Sequence, residues 1–386
     1  MNLNCPICHS GKKNHLTKLS NNMKIMGDTF PNAQSTIVNC ADCGCVYVDM
    51  DANQSHFSHY YNSGYSKTIS YYDAFGKVVA DEYFSHIYAS IEDYLIKESQ
   101  ILDMGAGHGE FSQFLIDRGY KNVLAVEPSN VNYVNIQKNG ITSLYDDSFS
   151  TNNNLIGKFD VIILSHVLEH ILDFEKALKN IKLMLKEDGI LYIEVPDSKK
   201  YCDVDFAPYF FFTYEHIIHL TLETLENLSR SYGLELLASK SYLKCGSYYV
   251  INAVFKNNGQ YSDVMYTDET KHAIEMYVHY SKEKLAPAVT KLETSGEKLI
   301  LWGIGASTAQ LLNETFDKCQ VIALIDSNTS RQGIEYKIAG KLFKIQSPND
   351  LITEDATIVV LPVMYKNSII NQIQLLGYTN KIITLS

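Results

Sequence analysis

The sequence predicts an α/β protein with two Rossmann-like sheets and a small cysteine-rich unit at the N-terminal end. Strand, glycine-turn and helix patterns follow one another from Gln100, and the same order begins again at Lys298. Two Cys-x-x-Cys pairs lie within the first 50 residues. We therefore expect three parts, with the boundaries 1–50, 51–256 and 257–386.

Composition limits the classes of partner. A net charge of −11 argues against nucleic acid, because neutralising phosphates needs a basic face. No apolar run approaches the ~18 residues of a membrane-spanning helix. The N-terminal residues do not resemble a signal peptide, so we expect a cytoplasmic protein. Its acidic composition, without obvious patches, suits a monomer or a weak homodimer.

The cysteine pairs predict a structural zinc site in residues 1–50. Each pair brings two thiolates to one face of a tight turn, and four thiolates make a closed tetrahedral site with no position for a substrate. The 31 residues between the pairs exceed the usual spacing of about 15–20. Cys45 is therefore an alternative to Cys43, and His9 is a weaker candidate. The predicted ligands are Cys5, Cys8, Cys40 and Cys43.

The segment from 51 to 97 is rich in tyrosine and then helical. Tyrosines cluster between positions 60 and 72, and we favour packing for most of them. A helix pattern with apolar residues at helical spacing runs from Val78 to Glu98. This helix leads into the first strand of the middle part.

A glycine turn organises the middle part. The apolar run from Gln100 to Met104 stops at three alternate glycines, and a helix pattern begins at Phe111. A strand, a tight turn and a helix N-terminus make a cradle for a nucleotide-like ligand. Glu127 ends the second strand about 20 residues after the turn, where a carboxylate can bind ribose hydroxyls. The third glycine comes one residue too early for the NAD pattern.

The Asp103-x-Gly-x-Gly-x-Gly form with Glu127 resembles motif I of the class I S-adenosylmethionine-dependent methyltransferases. Asp146 and Asp147 end a third strand, where this family places an acid near adenine. Phe159–Leu164 and Asp188–Pro196 fit the fourth and fifth strands. The resemblance implies S-adenosylmethionine as cofactor, bound by Asp103, Gly105, Gly107, Gly109, Glu127, Asp146 and Ser165.

An aromatic insertion follows the fifth strand. It runs to Thr221, which caps the next predicted helix. Two further strands, near Leu234–Tyr242 and Ser247–Phe255, are expected to close the sheet as an antiparallel pair. Residues 257–285 form a helical connector to the second Rossmann-like unit, whose turn begins at Gly303. That unit either binds a nucleotide or only shapes the substrate cleft, and we favour the second because its glycine pattern is incomplete.

The order of the three parts resembles the C-methyltransferases that act on nucleotide-linked keto-deoxysugars. This resemblance implies a general base, His216, in a Glu215–His216 pair within the insertion. Imidazole suits removal of the α-proton beside a ketone. Glu215 would orient His216 or bind substrate, and Tyr214 or a tyrosine of the 60–72 cluster would hold the enolate oxygen. His170 and His219 are expected to be structural.

Two departures from the family leave an alternative open. Tyr214 abuts the Glu-His pair instead of preceding it with one residue between, and residues 361–366 stand where the family tends to have Trp-Asn. The alternative is an O- or N-methyltransferase of the same architecture acting on another sugar or polar metabolite. A non-catalytic scaffold is disfavoured because the glycine turn and Glu127 are intact.

Overall fold

In the computed structural model of this protein, the described residues form three β-sheets. The structure describes residues 3–19, 35–50, 52–62, 70–146, 153–204, 208–213, 215–305, 308, 311–312, 315–329, 331–350, 355–362 and 366–385. Within those ranges, no helix combines the length and the apolar character needed to cross a lipid bilayer.

The strands and helices of the described residues are numbered in chain order. The strands are β1 (Lys13–Leu19), β2 (Ser35–Cys40), β3 (Val46–Asp49), β4 (Gln100–Met104), β5 (Asn122–Glu127), β6 (Ser143–Tyr145), β7 (Phe159–Ser165), β8 (Leu185–Pro196), β9 (Ile218–His219), β10 (Glu235–Lys244), β11 (Tyr248–Lys256), β12 (Lys298–Trp302), β13 (Gln320–Ile325), β14 (Glu335–Ile338), β15 (Lys341–Gln346), β16 (Thr357–Val360) and β17 (Ile382–Thr384). The helices are α1 (Gln54–Asn62), α2 (Tyr71–Phe75), α3 (Lys77–Ile91), α4 (Glu110–Asp117), α5 (Asn130–Lys138), α6 (Phe174–Met184), α7 (Leu222–Tyr232), α8 (Glu269–Ser295) and α9 (Lys366–Leu375).

The central sheet has seven strands in the order β10-β11-β8-β7-β4-β5-β6. The strands from β8 to β6 are parallel, and β11 and β10 extend the sheet as an antiparallel pair. The predicted α/β fold class and the predicted antiparallel closing strands are therefore confirmed.

Strand β7 is buried on both faces of this sheet. Val161, Ile162, Ile163 and Leu164 are all fully buried. Since side chains alternate across a strand, Val161 and Ile163 pack against α3 and α4, whereas Ile162 and Leu164 pack against α6 and α7. Helices on both faces thus hold the carboxyl ends of the parallel strands at one edge.

The helix that leads into the central sheet is shorter than the sequence pattern suggested. Helix α3 ends at Ile91, and a 3₁₀ turn from Glu92 to Tyr94 follows. Tyr94, at the end of this turn, is 41% exposed. The buried stripe of α3 consists of Ala80, Tyr83, Phe84, Ile87 and Ile91.

The N-terminal sheet has the order β1-β2-β3-β9 and is antiparallel. Its fourth strand comes from the aromatic insertion, since Val46 pairs with His219 and Tyr47 with Ile218. The sheet therefore extends across the predicted boundary at residue 50. The cysteine-rich unit and the insertion fold against each other.

The C-terminal sheet has the order β14-β15-β13-β12-β16-β17, with β14 as its antiparallel edge. At its glycine turn, a Cβ on Gly305 would lie 3.0 Å from Nη1 of Arg331, which also lies 3.5 Å from Oδ2 of Asp326. Arg331 thus fills space beside this turn. The connecting helix α8 reaches the insertion, because Tyr277 and Ser281 accept backbone N–H bonds from it. The three domain ranges remain predictions.

Candidate active site

The glycine turn after β4 has one packed face and one open face. A Cβ on Gly105, whose φ is +76°, would lie 2.4 Å from Cγ2 of Val167, so the turn packs closely against the segment after β7. Gly107 also has a positive φ, +57°, but nothing lies within 4 Å of the Cβ position. Gly107 therefore leaves room for a ligand to approach the backbone.

Glu127 lies beside this open face. Its side chain is 5% exposed, and it accepts the N–H of Gly107 at 2.8 Å and of Ser129 at 3.0 Å. The amide of Asn132 is 3.3 Å away. Burial raises the pKa of Glu127, and these donors oppose the rise. Because an ionised carboxylate has about four acceptor positions, it can still accept a hydroxyl from a ribose. The turn and this acid fit S-adenosylmethionine.

Asp103 has a different environment from Glu127. It is 5% exposed and accepts a hydrogen bond of 2.6 Å from Ser112 in α4. Burial raises the pKa of Asp103 to about 6, although Ser112 opposes the shift. The side chain thus ties the end of β4 to α4. Its assignment as a direct cofactor contact remains a prediction.

The other predicted cofactor residues share the edge formed by the carboxyl ends of the parallel strands. Asp146 follows β6, Ser165 ends β7, and Gly109 precedes α4 in a left-handed conformation. Asp147 lies outside the described residues. The fold thus brings the sequence-predicted acids and glycines to one edge of one sheet.

Glu194, which the sequence analysis did not single out, forms a buried polar centre near the end of β8. It is fully buried and accepts hydrogen bonds from Tyr83, Tyr242 and, at 2.9 Å, Tyr192. Burial favours the neutral acid, but His166, Lys244 and Tyr242 lower the pKa of Glu194 to about 2. An acid inside the apolar run of the fifth strand was the available signal for it.

Lys244 is the buried cation of this centre. It is 5% exposed, and its ammonium group donates to Tyr71 at 2.9 Å. It also lies 5.0 Å from the ring centroid of Tyr83. Burial opposes the charge, but Tyr248, Tyr71 and Glu194 together raise the pKa of Lys244. Tyr71, expected to pack, therefore also supplies a hydroxyl.

A second buried acid, Glu169, lies close to three histidines. It is 1% exposed, and its Oε1 lies 3.2 Å from Nδ1 of His166 and 3.8 Å from Nε2 of His170. Burial favours the neutral acid, yet His170, His166 and His216 lower the pKa of Glu169 to about 2. His166 also has a strained φ of +56°, of the kind that clusters at functional sites. We call these four residues the histidine group.

The fold positions His216 in this group through its neighbour Ile217. The N–H of Ile217 donates to the backbone carbonyl of Glu169 at 2.7 Å, and its carbonyl accepts the N–H of Val48 at 2.8 Å. The ring of His216 then lies 5.1 Å from that of His170, centroid to centroid. The N-terminal sheet therefore helps to hold His216 in place.

The surroundings of His216 favour the neutral form of its imidazole ring. Burial and the neighbouring His170 lower the pKa of His216 to about 3, and Glu169 opposes this shift. This pKa is well below the near-neutral pKa of an ordinary imidazole, on which the choice of histidine as a base depended. A neutral ring has a nitrogen lone pair that can accept a proton. Glu169 is the group that would stabilise the protonated ring.

The other predicted residues of the insertion differ in their surroundings. The backbone carbonyl of Glu215 lies 2.9 Å from Nδ1 of His170. His170 thus lies in the histidine group and contacts the insertion, and its expected structural role remains a prediction. Tyr214 lies outside the described residues. His219 is buried, with its Nδ1 3.2 Å from the hydroxyl of Tyr201, as a structural histidine would be.

Comparison with protein families decides the class of the central part. Residues 79–239 match the family model of the methyltransferase domain. The chain contains a methyltransferase domain. This domain makes the protein a methyltransferase, and the glycine turn, Glu127 and the histidine group all lie within the matched range.

Several solved structures are similar to part of this methyltransferase. A 1,6-didemethyltoxoflavin-N1-methyltransferase from Burkholderia thailandensis is 17% identical, with a TM-score of 0.38 over 56% of this chain and 96% of that one. Methyltransferases from Methanosarcina mazei (15% identity, TM-score 0.38, 46% and 99% covered) and Mesorhizobium loti (15%, 0.36, 44% and 96%) are similar too. No curated protein sequence matches the chain. With TM-scores below 0.5, these likenesses identify no acceptor.

The cysteine cluster of the methyltransferase lies against the N-terminal sheet. The sulfur atoms of the four predicted ligands lie within 4.8 Å of one another, and the Cys5–Cys43 and Cys8–Cys40 distances are 3.5 Å. Cys45 is buried but is not one of this set, and His9 lies 3.4 Å from Glu175 instead. Four converging thiols are the donor set of a closed structural zinc site.

Replacing Glu127 by Ala is expected to weaken binding of S-adenosylhomocysteine by about 10- to 100-fold, because a hydrogen bond to a charged group contributes about 1.5–3 kcal/mol. Calorimetric titration measures this loss. Glu187→Ala, an exposed acid of β8, is the matched control and should bind like the wild type. Equal affinity of both variants for S-adenosylhomocysteine would contradict the assignment of Glu127 as a cofactor-binding residue.

Proposed function

We propose that this enzyme transfers a methyl group from S-adenosylmethionine to a carbon atom of a nucleotide-diphosphate-linked ketosugar, with His216 as general base. The observation that carries this proposal is the histidine group, in which a ring nitrogen of His216 lies within 4.8 Å of a carboxylate oxygen of the buried Glu169. Deprotonating a carbon beside a ketone needs such a base. The family resemblance of the sequence supplies the substrate class.

Polar contacts connect the cofactor edge of the sheet to the histidine group. The hydroxyl of Ser165 donates to Oε1 of Glu194 at 3.2 Å, and Nε2 of His166 lies 3.4 Å from the same oxygen. The other ring nitrogen of His166 contacts Glu169, which has a carboxylate oxygen within 4.8 Å of a ring nitrogen of His216. This continuity supports one site in which the acceptor lies between the cofactor edge and His216.

The residues of the chain have separate roles in this proposal. Gly107 and Glu127 hold the nucleoside part of the cofactor, with Asp103, Gly105, Gly109, Asp146 and Ser165 around it. When bound, S-adenosylmethionine supplies an electrophilic methyl group, for which the protein needs to provide only alignment. His216 accepts the α-proton, and Glu169 stabilises the resulting imidazolium. Glu215 positions His170 through its carbonyl, and Tyr214 remains a candidate donor to the enolate oxygen.

Zinc completes the proposed enzyme as a structural ion. The ligands are Cys5, Cys8, Cys40 and Cys43, whose thiols converge. Because β3 pairs with β9, a metal that stabilises the N-terminal sheet also stabilises the segment that carries His216. We expect the metal to take no part in the reaction itself.

The proposed chemistry predicts exchange of the acceptor's α-proton. Incubating the enzyme with a nucleotide-linked ketosugar and S-adenosylhomocysteine in D₂O should place deuterium on the carbon beside the ketone, faster than in buffer, as mass spectrometry or NMR will show. The exchange should require His216. A methylated product without any exchange would contradict carbon methylation.

That outcome would favour the second candidate, an O- or N-methyltransferase acting on another sugar or polar metabolite. Its support is the sequence Leu361-Pro-Val-Met-Tyr-Lys366, which departs from the sugar C-methyltransferase pattern in the C-terminal part. The same base would serve a hydroxyl or amine acceptor, so only the exchange experiment separates the two.

A further inference from the structure

The histidine group contains a metal-binding donor set as well as a base. We propose that Glu169, His170 and His216 bind a divalent transition-metal ion. One ligand atom from each residue lies within 4.8 Å of the other two. Two imidazoles and one carboxylate are a donor set that first-row transition metals accept. The site is distinct from the cysteine cluster, which consists of thiols only.

The hydrogen bond of His170 presents the correct nitrogen to such an ion. Nδ1 of His170 lies 2.9 Å from the backbone carbonyl of Glu215. A carbonyl only accepts hydrogen bonds, so Nδ1 carries a hydrogen, and in the neutral imidazole the lone pair is then on Nε2. Nε2 is the atom that faces Glu169, at 3.8 Å. Metal-binding histidines are commonly fixed in this way by a backbone carbonyl.

The other two ligands have donor capacity that the described residues do not use. Oε2 of Glu169 and Nδ1 of His216 are buried, and neither has a hydrogen-bond partner in the part of the chain that the structure describes. Oε1 of Glu169 is held by His166, at 3.2 Å, as an outer partner would hold a ligand. A cation bound in this group would supply the kind of partner that such buried atoms lack.

Metal binding and base catalysis exclude each other at this site. A coordinated His216 no longer has the lone pair that the proposed base uses, so an occupied site should be inactive. This consequence rests on the proposed function, whereas the metal binding itself does not. The metal would therefore be an inhibitor bound in the proposed active site.

Cobalt(II) is the probe that tests the site. The purified enzyme, with its cysteine cluster filled by zinc, is titrated with Co²⁺ while absorbance and metal content are measured. We expect about one cobalt per chain, without the near-ultraviolet charge-transfer band that thiolate ligands give. Glu169→Gln and His170→Asn should each weaken cobalt binding at least about tenfold. His279→Asn, an exposed histidine of α8, should bind cobalt like the wild type.

Each variant must also bind S-adenosylhomocysteine, which shows that it is folded. No cobalt beyond that held by thiolates, or equal cobalt affinity in the wild type and both ligand variants, would overturn the metal site. Turnover that falls in proportion to cobalt occupancy would support the inhibitory role. Full turnover with cobalt bound would overturn that role and the assignment of His216 as base, while the metal site itself would stand.

Discussion

His216→Asn is expected to abolish methyl transfer, with turnover lowered by about 10²–10⁴-fold, while affinity for S-adenosylhomocysteine changes little. The loss follows because asparagine cannot accept a proton, and general-base catalysis contributes about this factor. Cofactor affinity should survive because Gly107 lies in the turn after β4 and Glu127 ends β5, whereas His216 belongs to the insertion after β8. Steady-state kinetics and calorimetric titration measure the two quantities.

His279→Asn controls for the loss of an imidazole, since this histidine lies on the exposed side of α8. A normal rate for His216→Asn would contradict the assignment of the base. Loss of both turnover and cofactor binding would instead indicate that the insertion had unfolded.

Cys5→Ser is expected to remove about one zinc ion per chain and to destabilise the N-terminal sheet. Structural zinc contributes on the order of 10 kcal/mol to folding in small zinc-binding units. A loss of even ~3 kcal/mol would lower Tm by roughly 6–12 °C in a domain of 150–250 residues. Turnover should fall too, because β3 pairs with β9 immediately after His216. Metal analysis and thermal unfolding measure the effects.

Two other cysteines are matched controls. Cys319→Ser, in the C-terminal part, and Cys45→Ser, beside the cluster, should both retain the zinc. Loss of zinc from Cys45→Ser would make Cys45 a ligand. A wild-type protein without zinc would reject the site altogether.

The features that the sequence predicted correctly depend on residues close together in the chain. The glycine turn and Glu127 lie within one strand-turn-helix-strand segment, so their spacing alone brought them to one edge of the sheet. The cysteine pairs behave similarly, because each Cys-x-x-Cys turn is a local structure. The converging sulfur atoms at 3.5 Å show that two such turns also meet.

The histidine group could not be predicted in this way. Glu169 and His216 are 47 positions apart, and they meet only because the insertion returns to pair with β3 and bonds back to the segment after β7. Glu194 and Lys244 likewise lie on neighbouring parts of a sheet whose register the sequence does not specify. Long-range pairing, rather than local propensity, therefore builds the buried polar part of the site.

A thermal-unfolding series with S-adenosylhomocysteine, alone and combined with TDP, UDP, GDP or CDP, tests the central claim most directly. A ligand at about 100 times its Kd adds ~2.7 kcal/mol of stability, which is readily measured. The proposal predicts stabilisation by S-adenosylhomocysteine and further stabilisation by one of the nucleotides. Stabilisation by S-adenosylhomocysteine alone would contradict a nucleotide-linked acceptor, and no stabilisation by any of these ligands would contradict the cofactor site itself.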